Sequence, residues 1–175
     1  IKELKLRGLI KRILIVCPAG LITQWEQEMS QKFEEKFNII LPSDHETIKK
    51  LTGNEDIYGQ FHQVISPMDS IKPLESRAGW SQEKVDEYNE ERIYSIVNAG
   101  WDLVVIDEAH RVAGSTGEVA RHKLGKLLAE STPYLLLLTA TPHSGKTEPF
   151  LRLIRLLDEE AFPNYKSIVK EQVSP

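Results

Sequence analysis

The chain has 175 residues, of which 41% are hydrophobic and 27% are charged, a size and composition typical of one α/β domain with a single core. The net charge is −4, so composition gives no support to a dedicated nucleic-acid-binding domain, which is usually strongly basic. No apolar run approaches the roughly 20 residues of a membrane span and no signal peptide opens the chain, which excludes a membrane protein and predicts a cytoplasmic one.

The first helix and strand signals occupy the opening third of the chain. Residues 1–9 are typical of the end of a helix, and residues 13–16 form an aliphatic strand. Cys17, the only cysteine, follows that strand, which predicts a small core residue without a disulfide or a redox role. An apolar residue then recurs every four positions, which predicts a helix whose apolar stripe belongs to the core. The stripe consists of Leu21, Trp25, Met29, Phe33 and Phe37.

Strand and helix signals continue to alternate along the rest of the chain. Short strands are predicted at 38–41 and 62–65, with a helical turn at 48–51 between them. The polar stretch 69–82, which contains Pro73, Gly79 and an exposed Trp80, predicts an inserted surface loop. The later predicted elements are a helix from Val85 to a stop at Gly100, a strand at 103–106, a helix at 119–129, a strand at 134–138 and a helix at 150–157.

The alternation of strands and helices predicts the fold class. Such a pattern is typical of an α/β fold with a mostly parallel, doubly wound sheet, right-handed connections and helices on both faces. One domain is expected, without internal repeats.

The tetrapeptide Asp107-Glu108-Ala109-His110 follows the apolar strand 103–106. Ligands of open α/β sheets bind at the carboxyl ends of the strands, so this position predicts a nucleotide site. In P-loop ATPases an Asp at this place holds Mg²⁺ through water, which is the role predicted for Asp107. Glu108 is the candidate catalytic base for the attacking water, and His110 is placed to link the site to a neighbouring element. The structural alternative is an acidic pair that only caps the next helix.

Four strings that follow four strands resemble, in order, motifs Ia, Ib, II and III of the DEAD/DEAH-box helicases of superfamily two. Trp25, and the tail that runs from Thr141-Pro142-His143 through Gly145-Lys146 to Phe162, resemble the Swi/Snf-related branch. Within that branch the chain is similar to the bacterial group of RNA-polymerase-recycling ATPases. The four strings are Pro18 to Trp25, Ser66 to Ser70, Asp107 to His110 and Leu138 to Pro142.

The resemblance implies a RecA-like lobe, one of two that clamp ATP and Mg²⁺ between them and step along double-stranded DNA. Ala19, Gly20, Gln24 and Ser66 would then lie near the tracked strand. Thr139 and Thr141, with His110, would couple the phosphate site to the DNA path.

A structural role is expected for Trp25, which lies within motif Ia. Its place on the apolar stripe favours packing beneath the DNA path over contact with nucleic acid.

The resemblance also implies parts that are expected to lie outside the chain. The family has a phosphate loop before the helix at 1–9 and a second lobe with an arginine finger, and neither is found in the sequence. We therefore expect a fragment that begins in the helix after the phosphate loop and is inactive by itself. Residues 140–147 imitate a phosphate loop with Gly145-Lys146-Thr147, but this segment follows the acidic pair and contains Pro142, which removes an N–H. It is predicted to be a decoy.

Several alternatives remain open at this point. The same lobe could serve an RNA helicase or a defence-system motor. The chain could instead be a stand-alone NTPase or kinase that uses Gly145-Lys146-Thr147, or an interaction module without activity. A zinc hydrolase built on His110 and His122 is disfavoured, because their spacing matches no zinc motif.

Overall fold

The computed structural model describes residues 1–113, 119–141 and 147–163. Five parallel strands form one sheet in the order β2-β3-β1-β4-β5. They are β1 (Ile13–Cys17), β2 (Asn38–Ile39), β3 (Gln63–Pro67), β4 (Leu103–Ile106) and β5 (Tyr134–Leu137). The helices of the described ranges are α1 (Lys2–Leu6), α2 (Ile22–Phe33), α3 (His45–Thr52), α4 (Met68–Ile71), α5 (Gln82–Val97), α6 (Val119–Ser131) and α7 (Thr147–Arg155). None of these helices is long and apolar enough to cross a membrane.

The helices cover both faces of the sheet. Successive strand residues point to opposite faces, and both faces of β1 are fully buried. Leu14 and Val16 pack in a cluster with residues of α4, α5, α6 and α7, whereas Ile13 and Ile15 pack against α1 and α2. This arrangement explains the continuous aliphatic runs in the sequence and confirms the predicted α/β fold with a parallel sheet.

The order of the strands places a crevice at the carboxyl ends of β1 and β4. The chain leaves β1 toward β2 and β3 on one side and later returns to pair β4 on the other side. Open α/β sheets bind ligands at such a reversal point. The backbone N–H of Asp107 donates to the carbonyl of Val16 at 2.8 Å, which fixes the start of the acidic segment beside the end of β1.

Strand β5 forms one edge of the sheet in the described ranges. It pairs with β4 through the register Val104 with Leu135 and Ile106 with Leu137. Its alternate residues Tyr134 and Leu136 are each 43% exposed, although the strand is entirely apolar apart from the tyrosine hydroxyl. An apolar strand with this much exposure is unusual for a parallel sheet, whose strands are normally covered on both faces.

Helix α2 is shorter than the apolar stripe predicts. It ends where Glu34 adopts the left-handed conformation (φ 56°), a common helix stop, and the N–H of the next residue, Glu35, donates to the carbonyl of Met29 at 2.9 Å. Phe37 therefore lies outside the helix, and Phe33 is 47% exposed. Met29 is the buried member of the stripe, so the assignment of all five residues to the core was wrong for Phe33.

The stretch predicted as a loop begins with the single helical turn α4 and continues as irregular chain to the start of α5. Trp80 is half-buried there instead of exposed. Its ring meets that of Tyr88 edge-on at 5.2 Å, and the Arg77 guanidinium lies 4.4 Å from the ring centroid of Trp80. These contacts fasten the loop to α5, because an aromatic pair and a cation over a ring are both favourable.

Candidate active site

The acidic pair lies at the tip of β4, where the sequence predicts it. Glu108 adopts the left-handed backbone conformation (φ 51°, ψ 45°), which is uncommon for a residue other than glycine and often marks a functional site. The chain holds this conformation because the next residue, Ala109, is fully buried and donates its N–H to the carbonyl of Leu138 at 2.8 Å. The turn then continues as the 3₁₀ helix Ala109–Val112.

Two donors hold the carboxylate of Asp107 in one orientation. Its Oδ1 accepts the backbone N–H of Glu108 at 2.8 Å, and its Oδ2 accepts the indole Nε1–H of Trp25 at 2.8 Å. The second bond joins α2 to the tip of β4. Trp25 is half-buried, as expected for a packing residue, but its hydrogen bond to Asp107 gives it a polar role that the apolar periodicity did not reveal.

The donor set at Asp107 fits a magnesium ion. Each carboxylate oxygen uses one lone pair on the bonds just described, which leaves further lone pairs for a metal or its water. Mg²⁺ prefers oxygen ligands and is commonly bound through one or two carboxylates, several waters and the phosphates of the substrate. Among the described residues there is no group of three or more His, Cys, Asp and Glu side chains that could hold a metal ion, so this way of binding is the one that Asp107 can support.

A chain of polar contacts leads from Glu108 to the segment that follows β5. The Nδ1 atom of His110 lies 3.1 Å from Oε2 of Glu108 and 3.1 Å from Oγ1 of Thr139. Thr139 Oγ1 also accepts the backbone N–H of Thr141 at 3.2 Å. The structure thus brings together the predicted base and all three predicted coupling residues in one connected group.

Cys17 lies at the end of β1, beside the acidic segment. Burial, followed by the negative charge of Asp107, raises the pKa of its thiol to about 12. Since the thiolate is the reactive form of cysteine, Cys17 is an inert core residue at neutral pH, as predicted from its position after an aliphatic strand.

Three of the four residues assigned to the nucleic-acid path lie on the surface. Ala19 and Gly20 are exposed in the 3₁₀ turn after β1, and the exposed Gln24 donates from its side chain to Glu28 Oε1 at 3.1 Å. Ser66 is different, because it is completely buried and its hydroxyl donates to the carbonyl of Ile40 at 3.2 Å. The side chain of Ser66 is therefore buried below the surface, and its place near the nucleic-acid path stays a prediction.

A cavity of about 420 Å³ opens beside Asp107, between α1, α2 and β5. Trp25, Phe33 and Leu136 line it, which places the two exposed apolar side chains of α2 and β5 around the same space. The decoy residues Gly145 and Lys146 lie outside the described ranges.

Comparisons with known proteins agree with the resemblance. The model of the SNF2-related domain family matches residues 1–174. The RNA polymerase-associated protein RapA of Yersinia pestis (strain Pestoides F) is 34% identical over 169 residues, which are 95% of this chain and 16% of that protein. The RapA protein of Yersinia pseudotuberculosis serotype O:1b shows the same identity and coverage. The chain thus spans about a sixth of the length of these curated relatives.

Solved structures show the same fold. The SWI2/SNF2 ATPase core of Sulfolobus solfataricus in complex with double-stranded DNA superposes with a TM-score of 0.63 at 18% identity, over 96% of this chain and 29% of that chain. The core domain from the same organism, described without DNA, gives a TM-score of 0.61 over 96% of this chain and 28% of that chain. These matches show that the sheet and its helices form a RecA-like lobe.

Proposed function

The chain belongs to the SNF2-related domain family, and on this premise we propose that it is part of the first RecA-like lobe of an ATP-driven translocase that moves on double-stranded DNA. The observation that carries the proposal is the connected group at the strand ends. Asp107 is oriented by Trp25, and Glu108 is joined through His110 to Thr139. A motor needs such a link, because hydrolysis at one element must alter the position of another.

Each residue of this group has a chemical task in the proposed reaction. Asp107 would hold Mg²⁺, which neutralises the charge of the ATP phosphates when bound. Glu108 would accept the proton of the attacking water. His110, which lies 3.1 Å from that carboxylate, would keep it in place by charge when protonated, and Thr139 would carry a change at Glu108 to the end of β5.

We also propose that the phosphate loop of the intact motor is the strand-to-helix turn that follows a further strand beside β5. Leu136 and Tyr134 are exposed on this edge strand, and the cavity bordered by Leu136 also reaches Asp107. A further parallel strand along β5 would cover this edge and deliver a loop of backbone N–H groups to the phosphates next to Asp107. The second lobe would close on ATP from the opposite side.

The exposed turn after β1 is the part of the lobe proposed to follow the DNA. Ala19 and Gly20 have little or no side chain, so the backbone of the turn can approach the phosphate backbone of the DNA closely. The side-chain amide of Gln24 can donate a hydrogen bond to a phosphate oxygen. On this proposal the motor acts on DNA in the cytoplasm of a bacterial cell.

The test is the Glu108→Gln variant of the protein with the complete motor. Loss of the base should lower the DNA-stimulated rate of ATP hydrolysis by about 10²–10⁴-fold, because general-base catalysis contributes that much, while ATP binding persists. Glu130→Gln, which changes an exposed glutamate of α6, is the matched control and should leave the rate unchanged. Hydrolysis that survives Glu108→Gln would exclude Glu108 as the base. If RNA but not double-stranded DNA stimulates ATP hydrolysis, the motor moves on RNA and the proposed DNA track is wrong.

A further inference from the structure

A groove of about 1170 Å³ lies on α5, far from the acidic pair. It is bounded by α5, by the segment before the 3₁₀ turn Tyr58–Gln60, and by α6. Its volume exceeds the range of about 300–1,000 Å³ that is typical of small-molecule sites. The groove is therefore of a size that suits a segment of another protein.

The floor of the groove is apolar and its sides are acidic. Ile93, Tyr94, Val97 and Leu127 supply the apolar surface, and Tyr94 is 71% exposed. Exposed apolar surface with a polar rim is typical of an interaction site on a soluble domain, and exposed tyrosines are frequent anchors of protein interfaces.

The charge of the groove is strongly one-sided. Five of its lining residues are Asp or Glu and one is a lysine, Lys123. Glu55 and Glu91 already share Lys49 at 2.6 Å and 3.0 Å, whereas no hydrogen bond or ion pair joins the side chain of Glu90 to another described residue. An occupant with positive charge would pair with the carboxylates that remain, and a nucleic acid would be repelled by them.

One polar atom in the lining also lacks a partner. The hydroxyl of Ser95 is buried without a hydrogen bond to any described residue, which is a costly arrangement. Ser95 borders the groove, but its hydroxyl is buried beneath the surface, so an occupant would contact the apolar and charged side chains instead.

We propose that this groove binds a basic amphipathic helix of a separate partner protein. An apolar stripe of that helix would lie on Tyr94 and Val97, while flanking Lys or Arg residues meet Asp86 and Glu90. Asp86, Glu90, Tyr94 and Val97 are spaced at i, i+4, i+8 and i+11 along α5, so they lie along one face of this helix.

The groove is separate from the proposed nucleotide site. Asp56 and Asn98 of its lining precede the starts of β3 and β4 along the chain, whereas Asp107 follows the end of β4. Asp56 and Asn98 therefore lie toward the amino ends of the strands and Asp107 at the carboxyl ends, and no residue of the groove lines the cavity beside Asp107. A partner in the groove would leave the nucleotide edge and the DNA path free.

The test uses a labelled helical peptide with a leucine stripe flanked by lysines, and its binding to the chain is followed by fluorescence anisotropy. Binding should be saturable and should weaken at high salt, because exposed charges are screened. The double variant Asp86→Lys/Glu90→Lys should weaken it by about tenfold or more, since each reversed charge repels the peptide. Tyr94→Ala should weaken it as well.

The matched control is Glu83→Lys/Glu87→Lys, which reverses two exposed acids of the same helix that do not line the groove. It should leave binding within about twofold of the parent chain. Analytical ultracentrifugation should also show that the parent chain and both double variants are monomers. Equal loss in both double variants would reduce the binding to general charge attraction and overturn the proposal. Dimers that Asp86→Lys/Glu90→Lys abolishes would assign the groove to a second copy. Binding to the chain but not to the full-length protein would assign it to another segment of the same polypeptide.

Discussion

At the scale of single residues, the hydrogen bond between Trp25 and Asp107 connects the helix beside the proposed DNA path with the proposed Mg²⁺ residue. Trp25 lies on α2, one turn beyond the exposed turn that we propose follows DNA. Asp107 is the proposed Mg²⁺ residue. A shift of α2 on DNA would therefore act directly on the orientation of the Asp107 carboxylate through the 2.8 Å bond.

Trp25→Phe separates the packing of the ring from its hydrogen bond. The aromatic ring is kept, but Oδ2 of Asp107 loses its donor, and a hydrogen bond to a charged group contributes about 1.5–3 kcal/mol. In the protein with the complete motor, we expect roughly tenfold slower hydrolysis and a higher Mg²⁺ concentration for half-maximal rate. Steady-state kinetics over a Mg²⁺ titration measures both.

Trp101→Phe is the control for this prediction. The Nε1–H of Trp101 donates to the carbonyl of Ile96 at 2.7 Å in the buried core, away from Asp107. This variant should lower the midpoint of thermal unfolding while its Mg²⁺ dependence stays unchanged. If Trp25→Phe behaves in the same way, Trp25 is a packing residue alone.

At the scale of elements, Glu35 fastens α1 to the end of α2. Its side chain is only 8% exposed and forms ion pairs with Lys5 and, at 3.7 Å, with Lys2. Lys5 also donates to Oε1 of Gln63 at 2.8 Å, which extends the contact to the start of β3. Burial raises the pKa of Glu35, but the hydrogen bond and charge of Lys5, with Gln63 and Lys2, outweigh it and lower the pKa below its usual value.

Glu35→Gln should therefore destabilise the chain in a pH-dependent way. A lowered pKa in the folded state means that the stabilisation is complete above the unfolded pKa, about 4.3, and is lost as the pH falls through the folded pKa. Urea unfolding at neutral pH should show a loss of about 1.5–3 kcal/mol, since Lys5 loses its charged acceptor. The difference from the parent chain should shrink below pH ~4.

The exposed pair of Glu46 and Lys50, with side chains 83% and 79% accessible, provides the control. Glu46→Gln should change the free energy of unfolding by less than about 1 kcal/mol, because surface ion pairs contribute little. An equally small effect of Glu35→Gln, or one that does not vary with pH, would contradict the proposed fastening of α1.

The same elements show which parts of the fold the sequence determines. The strand β4 was predictable because a run of only four aliphatic residues between Asp102 and Asp107 is typical of a strand buried on both faces. The end of α2 was not predictable, because Glu34 gives no local signal for a left-handed residue, in contrast to glycine. Apolar periodicity located Phe33 on the right helix but could not tell whether another element covers it.

At the scale of the whole molecule, the proposed site is assembled from segments that are distant in the chain. Motif order alone predicted that Asp107, His110 and Thr139 belong to one site, because parallel strands end at the same edge. Two features required the three-dimensional structure. One is the Trp25 bond across 82 positions of sequence, and the other is the strained backbone of Glu108. A periodic pattern carries no information about either.

The open edge of β5 leads to a prediction about the 175-residue chain itself. If a further strand beside β5 supplies the phosphate loop, the chain alone offers ATP only the carboxylate edge, and it should bind ATP–Mg²⁺ weakly or not at all. Isothermal titration calorimetry measures this directly. Lys146→Ala should then leave the result unchanged, because Gly145-Lys146-Thr147 follows motif III and is not the phosphate loop.

The opposite result has a clear meaning for this prediction. Micromolar binding by the chain that Lys146→Ala abolishes would identify Gly145-Lys146-Thr147 as the true phosphate loop and make the chain a stand-alone nucleotide-binding protein. Asp107→Asn separates the two readings further. Removing this carboxylate charge should have no effect on ATP binding by a chain that lacks the phosphate loop. In a complete site it should weaken Mg²⁺-dependent ATP binding. The exposed apolar face at Leu136 favours the incomplete site, since a strand so placed gains free energy only when another element covers it.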